Sequence, residues 1–169
     1  MSADDTPWLD AEEQETWTAL VGLMTQLPGA LDTQLQRDAG ISHFEYQVLA
    51  GLSMSPGRTL RMSVLADFAV GSLSRLSHTV KRLERQGWVR RTTDPGDGRC
   101  TLAVLTDSGW DKVVATAPGH VAEVRRLVFG PLTKAQQRNL REAGRRVNEA
   151  VRPGGMAGAT GIGESAIAP

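Results

Sequence analysis

The sequence predicts a mainly α-helical chain with one small β-hairpin. Three observations predict it. Apolar residues recur at three- and four-residue steps through most of the chain, the spacing that makes one face of a helix. Strand-like residues concentrate around 88–105 and are split by Asp94-Pro95-Gly96-Asp97-Gly98, dense turn chemistry. The charge is segregated. Residues 1–57 carry a net −8, residues 58–99 a net +5 and the rest +3, although the 169-residue chain sums to zero.

Taken in order, Leu20, Leu23, Met24, Leu27, Leu31 and Leu35 predict a long helix over 11–38, capped by Asp10 and ended by Gly40. Pro28 removes a backbone donor, so a kink or break is expected near 24–28. An apolar stripe this long is hard to bury in a small monomer and favours packing against a second subunit. Ser42 caps a helix over 43–53, with Glu45 placed to support the cap and Phe44, Val48, Leu49 and Leu52 on its buried side. Ser55-Pro56-Gly57 is a turn. A short helix over 62–68 turns Val64, Leu65 and Phe68 inward. After a break at Val70-Gly71, Ser72 caps a helix over 73–86 that stops at Gly87. Its apolar residues, Leu73, Leu76, Val80 and Leu83, form one narrow stripe. Its other face carries Ser74, Arg75, Ser77, His78, Lys81, Arg82 and Arg85.

Strands are expected over 88–92 and 101–105, with Leu102 and Val104 on one face. Thr106 caps a helix over 107–129, bent by Pro118 and Gly119. Thr133 caps a last one over 134–151. Residues 1–10 and 152–169 are expected to be disordered.

Helix, short helix, turn, basic amphipathic helix and hairpin in this order are the layout of a winged helix-turn-helix, here over 41–106. A helix that buries a single stripe leaves its other face free to enter the DNA major groove, which has room for one helix. Ser74 and Ser77 let the backbone approach, while Arg75, His78 and Lys81 reach base edges or phosphates. Arg61, Arg82, Arg90 and Arg91 are candidate phosphate contacts, with Arg90 and Arg91 either a phosphate clamp or a solvated strand edge. Arg99 can enter the minor groove, or pair with Asp97 or Asp94 to stiffen the hairpin.

The chain also resembles the multiple-antibiotic-resistance regulator (MarR) family over about residues 15–150. The resemblance is carried by Leu65-Ala66, by the run from Ser74-Arg75-Leu76-Ser77-His78 through Lys81-Arg82-Leu83 to Gly87-Trp88-Val89-Arg90-Arg91, and by Asp97-Gly98-Arg99 followed by Val104-Leu105-Thr106. It implies a homodimer. Residues 11–40 and 107–151 would interleave with a second copy, and the pair would bind a pseudo-palindromic operator. Ser72 and Asp97 complete the candidate DNA-facing set. The resemblance also implies repression of nearby genes, relieved by a small, often aromatic, effector or by cysteine oxidation. Two features depart from the family pattern. Arg61 holds the cap position of the short helix, where the family has Ser or Thr. Cys100 lies in the hairpin, not near the N-terminus.

Trp17, His43 and Tyr46 either line a ligand pocket or simply pack. Trp88 and Trp110 are expected to pack at the hairpin base. His43, His78 and His120 are far apart in sequence and match no metal spacing. Cys100 would be a reactive thiol only if Arg99 lowered its pKa. No phosphate-binding loop, nucleophile elbow or catalytic carboxylate pair is present in the sequence, so neither an enzyme nor a cofactor is expected. The acidic, polar N-terminus and the lack of a long apolar run predict a cytoplasmic protein that does not span a membrane. A winged-helix module that binds protein rather than DNA, and a redox regulator working through Cys100, are the alternatives.

Overall fold

The computed structural model describes residues 6–69 and 72–151; the expectations for residues 1–5, Val70-Gly71 and 152–169 lie outside the described residues. The order is α1 (Ala11–Ala39), α2 (His43–Ser53), β1 (Thr59–Arg61), α3 (Met62–Phe68), α4 (Leu73–Arg85), β2 (Val89–Asp94), β3 (Asp97–Leu105), α5 (Asp107–Val124) and α6 (Lys134–Val151). Among the described residues no helix is long and apolar enough to cross a membrane.

Local chemistry sets the helix ends. Asp10 and Glu13 form a reciprocal capping box at the start of α1, and Ser42 and Glu45 form another at the start of α2. Gly40 ends α1 with φ 66°, a left-handed conformation that glycine adopts without a steric penalty. Thr106 accepts the N–H of Gly109 at 3.0 Å to open α5. At the start of α6, Thr133 exchanges hydrogen bonds with Gln136.

The break expected at Pro28 does not occur: α1 is one helix of 29 residues. Pro28 and Met24 are both exposed, so water can take the Met24 carbonyl that loses its donor. Helix α5 likewise runs unbroken through Pro118 and Gly119. It then passes into one wide turn over Arg125–Phe129, closed by the Gly130 N–H on the Arg125 carbonyl.

The expected hairpin is a three-stranded antiparallel sheet in the order β1-β3-β2. Thr59 pairs with Val104 and Arg61 with Leu102. The β2–β3 ladder runs from Val89↔Leu105 to Asp94↔Asp97, so only Pro95 and Gly96 remain as the connection. Arg99 and Cys100 therefore stand on a strand, not in a loop. The alternation along β3 is present, but Ala103 and Leu105 are the buried face and Leu102 and Val104 are half-buried.

The core joins Leu35, Ile41, Val48, Leu49, Leu52, Leu65, Leu76, Val80, Leu83, Val89, Ala103 and Leu105. It lies beneath α4, and this is what holds α4 with one side outward. Leu73, expected on the buried stripe, is 56% exposed because it overhangs the core at the helix start. Among the described residues, helices α1 and α6 are largely uncovered. On α1 only Leu31, Gln34 and Leu35 are buried, and α6 buries nothing. Trp17, Leu23, Met24, Phe129, Leu140 and Val147 are all exposed.

Candidate nucleic-acid interface

Helix α4 is anchored by Leu76, Val80 and Leu83, each at 0% exposure. Ser74, Arg75, His78, Lys81 and Arg85 lie on the exposed side, and Ser77 is half-buried at its edge. Ser72 is committed to the helix start, where its hydroxyl accepts the Arg75 N–H at 3.2 Å. The arrangement leaves small and cationic side chains on an accessible helix face, the geometry that a major groove admits.

The other nominated cations are tied to the protein to different degrees. Arg82 bonds the Glu45 carboxylate, which is 5% exposed and also accepts the backbone N–H and hydroxyl of Ser42. A guanidinium committed to a buried carboxylate fixes α4 to α2, so Arg82 is first a strut within the helix-turn-helix. Arg91 donates its backbone N–H and its Nε to Glu84, at 2.9 and 2.8 Å, and locks β2 to α4. Arg61 donates Nε to Asp94 at 2.8 Å, which joins β1 to the tip of the hairpin. It offers α3 no side-chain cap, as its residue type dictates. Arg99 pairs with Asp97 at 3.2 Å yet remains 92% exposed, and so exposed a pair holds its cation loosely. Arg90 is exposed and makes no side-chain hydrogen bond among the described residues.

Two further ties join residues far apart in sequence. The Arg58 guanidinium lies 4.2 Å from the Trp110 ring centroid and reaches Asp107, which fixes the base of the sheet against α5. Lys112 donates to the Ala39 carbonyl at 2.7 Å and joins α5 to the end of α1.

Cys100 lies beside the Asp97 carboxylate. Its thiol donates to Asp97 Oδ2 at 3.4 Å, and this contact with a carboxylate, with desolvation, pushes its pKa up; the cation that opposes the rise is Arg61, not Arg99. Arg99 therefore does not supply the lowered pKa that a reactive thiol would need, since thiolates form beside cations and not beside carboxylates.

A cleft of about 510 Å³ opens beside α4, lined by Pro28, Gly29 and Asp32 of α1, Ser42, His43, Phe44 and Gln47, and by Ala69 and Arg75. Of Trp17, His43 and Tyr46, only His43 lines it. Trp17 lies 11 residues before Pro28 on the same continuous helix, about 16 Å away along it at 1.5 Å per residue. The histidines are not all separate either. His43 and His120 have ring centroids 6.1 Å apart, and Tyr46 packs 4.5 Å from His120. Sequence separation had hidden this meeting of α2 and α5.

Burial lowers the pKa of His43, partly opposed by Asp32, and burial together with the neighbouring His43 lowers that of His120. The unfolded chain therefore binds more protons than the folded one just below the ordinary histidine pKa of about 6.5. Stability should be complete above that pH and fall as pH drops through it toward the depressed folded values. Thermal melts should show a lower Tm at pH 5.5 than at 7.5, and His120→Gln should narrow the difference. An unchanged difference would remove the histidine pair as its source.

Comparison with known proteins agrees with this geometry. A model of the MarR family matches residues 39–99. The crystal structure of Sco3205, a MarR family transcriptional regulator from Streptomyces coelicolor in complex with DNA, is 49% identical. It covers 89% of this chain and 94% of that one, with a TM-score of 0.83. AbsC, a MarR family transcriptional regulator of the same organism, is 36% identical over 88% of this chain and 99% of that one, with a TM-score of 0.81. YdcH of Bacillus subtilis, an uncharacterized HTH-type transcriptional regulator, is 30% identical over 80 residues, which span 46% of this chain and 54% of that protein. With sequence identity of this level along nearly the whole fold, the chain belongs to the MarR family of transcriptional regulators.

Proposed function

We propose that the chain is a cytoplasmic, sequence-specific DNA-binding regulator that works as a homodimer on a pseudo-palindromic operator and represses nearby genes. We assign it no catalytic activity. The observation that carries this reading is the exposed cationic side of α4, held outward by three fully buried residues. Ser74, Arg75, His78 and Lys81 read bases. Arg90 contacts phosphate, Arg99 enters the minor groove, and Arg61, Arg82 and Arg91 set the positions of helix and wing.

The homodimer is supported by the largely uncovered helices α1 and α6. An 18-residue helix with no buried residue has little to hold it in water, because most helix stability in proteins comes from packing an apolar face. Between the turn after α5 and α6, a groove of about 640 Å³ lined by Phe129, Leu132 and Leu140 waits for a complement. A second copy supplies it through the exposed side of α1 and through α6. Residues 11–40 and 107–151 are then the dimer module, and 41–106 the DNA-binding lobe. The two-fold places the recognition helices about 34–36 Å apart, one turn of DNA.

The cleft beside α4 has the size of a small-molecule pocket and lies between the dimer module and the winged lobe. A small aromatic effector seated there would alter the spacing of the recognition helices, by no more than its differential affinity for the two spacings allows.

Selection of bound duplexes from a random pool, followed by titrations on selected and scrambled duplexes at two salt concentrations, tests the reading. Arg75→Ala should cost about 1–3 kcal/mol on the selected duplex alone, and Arg90→Ala should weaken both duplexes and reduce the salt slope by about 1. Equal losses for Arg75→Ala on both duplexes would contradict its base-reading role. Release of the selected duplex by small aromatic compounds tests the effector.

A further inference from the structure

Four of the nominated arginines are held by carboxylates: Arg61 by Asp94, Arg82 by Glu45, Arg91 by Glu84 and Arg99 by Asp97. Arg75 is held by a ring. Its guanidinium carbon lies 4.1 Å from the centroid of Phe44. Phe44 is 8% exposed and belongs to the core cluster, so its ring plane is fixed by packing and not by the arginine. Arg75 stands in the first turn of α4, three residues after the cap Ser72, on the part of a recognition helix that meets base edges.

The chemistry of this contact differs from that of an ion pair. A carboxylate occupies the edge of a guanidinium, where its five N–H donors lie. An aromatic ring occupies the face, through attraction to the ring quadrupole, and leaves every edge donor free. The Arg75 guanidinium sits over this ring, and among the described residues its side chain makes no hydrogen bond or ion pair, so its donors stay available. A guanine presents O6 and N7 to such an edge in the major groove.

We propose that Phe44 is a positioning residue for base recognition: it holds the guanidinium plane of Arg75 so that its free edge meets one guanine in each half-site. This inference rests on the DNA-binding reading above and names a residue of α2, outside the recognition helix, as a determinant of specificity.

The test replaces each guanine of the selected duplex in turn by 7-deazaguanine, which lacks the N7 acceptor. The unmodified protein should lose about tenfold in affinity at one guanine per half-site. Phe44→Tyr, which keeps the ring, should show the same loss. Phe44→Leu should bind the selected duplex about fivefold to tenfold more weakly, bind the scrambled duplex as before and no longer respond to 7-deazaguanine. Pentafluorophenylalanine at position 44 has nearly the same shape and the opposite quadrupole. It should reproduce the Phe44→Leu behaviour even if the leucine variant folds poorly. Retention of the full 7-deazaguanine penalty in Phe44→Leu or in the fluorinated protein would overturn the proposal, as would equal losses on both duplexes. Absence of any sequence preference in the unmodified protein would instead bring down the DNA-binding reading, and this inference with it.

Discussion

Gly109→Ala should destabilise the protein by about 3 kcal/mol or more, at or above the upper end for overpacked cores. Gly109 is buried in the first turn of α5, where the chain leaves the sheet. A Cβ there would lie 2.1 Å from the Trp88 carbonyl oxygen and 2.7 Å from Leu105 Cδ1. The first of these is backbone and cannot swing away. It also accepts the Thr106 N–H at 3.0 Å, and the Thr106 hydroxyl donates to the Gly87 carbonyl at 2.6 Å. Relieving the clash would pull α5 off the turn between α4 and β2 and strip Thr106 of its role as a cap. Urea melts should show a lower midpoint with an unchanged slope. A shift within about 0.5 kcal/mol, the range of an ordinary surface substitution, would show that this junction is not packed as described.

The second large effect is expected at Glu45. Its carboxylate closes the α2 capping box and receives Arg82 from α4, all while buried. Glu45→Ala removes a cap contact, of about 0.5–2 kcal/mol, and a charge-assisted bond, of about 1.5–3 kcal/mol, so a loss of about 2–5 kcal/mol is expected. Arg82→Ala should cost less, about 1–2 kcal/mol, because the arginine is 52% exposed and water screens part of the pair. A double-mutant cycle should show the two losses to be strongly non-additive. Should Arg82→Ala leave stability unchanged and lower only DNA affinity, the residue would be a phosphate contact and not a strut.

What was legible in the sequence, and what was not, follows from the range of the interactions involved. Helix ends were legible because caps are local: Asp10, Ser42, Ser72, Thr106 and Thr133 each act within three residues. The outward face of α4 was legible because Leu76, Val80 and Leu83 repeat with the helical period. Strand β1 was not, because three residues cannot show an alternation and their partner, β3, comes some forty residues later. The contact of Arg82 with Glu45 was not legible for the same reason, since the two are 37 residues apart. Nor were the seat of Arg75 on Phe44 and the contact of His43 with His120. Composition marked every one of these arginines as a candidate for phosphate. Only the fold distinguishes those already engaged by Glu45, Glu84 and Asp94 from those still presented to a partner. The break expected at Pro28 failed on a different count: exposure lets water replace the missing hydrogen bond.

Whether α4 enters the major groove from each subunit of a dimer can be read by photo-cross-linking, with a probe on His78→Cys in a Cys100→Ser background, bound to the selected duplex. Two clusters of cross-linked bases are expected, one per half-site, with centres about 10–10.5 base pairs apart. Cross-links from a probe on Arg138→Cys in α6, with none from position 78, would contradict this placement of α4.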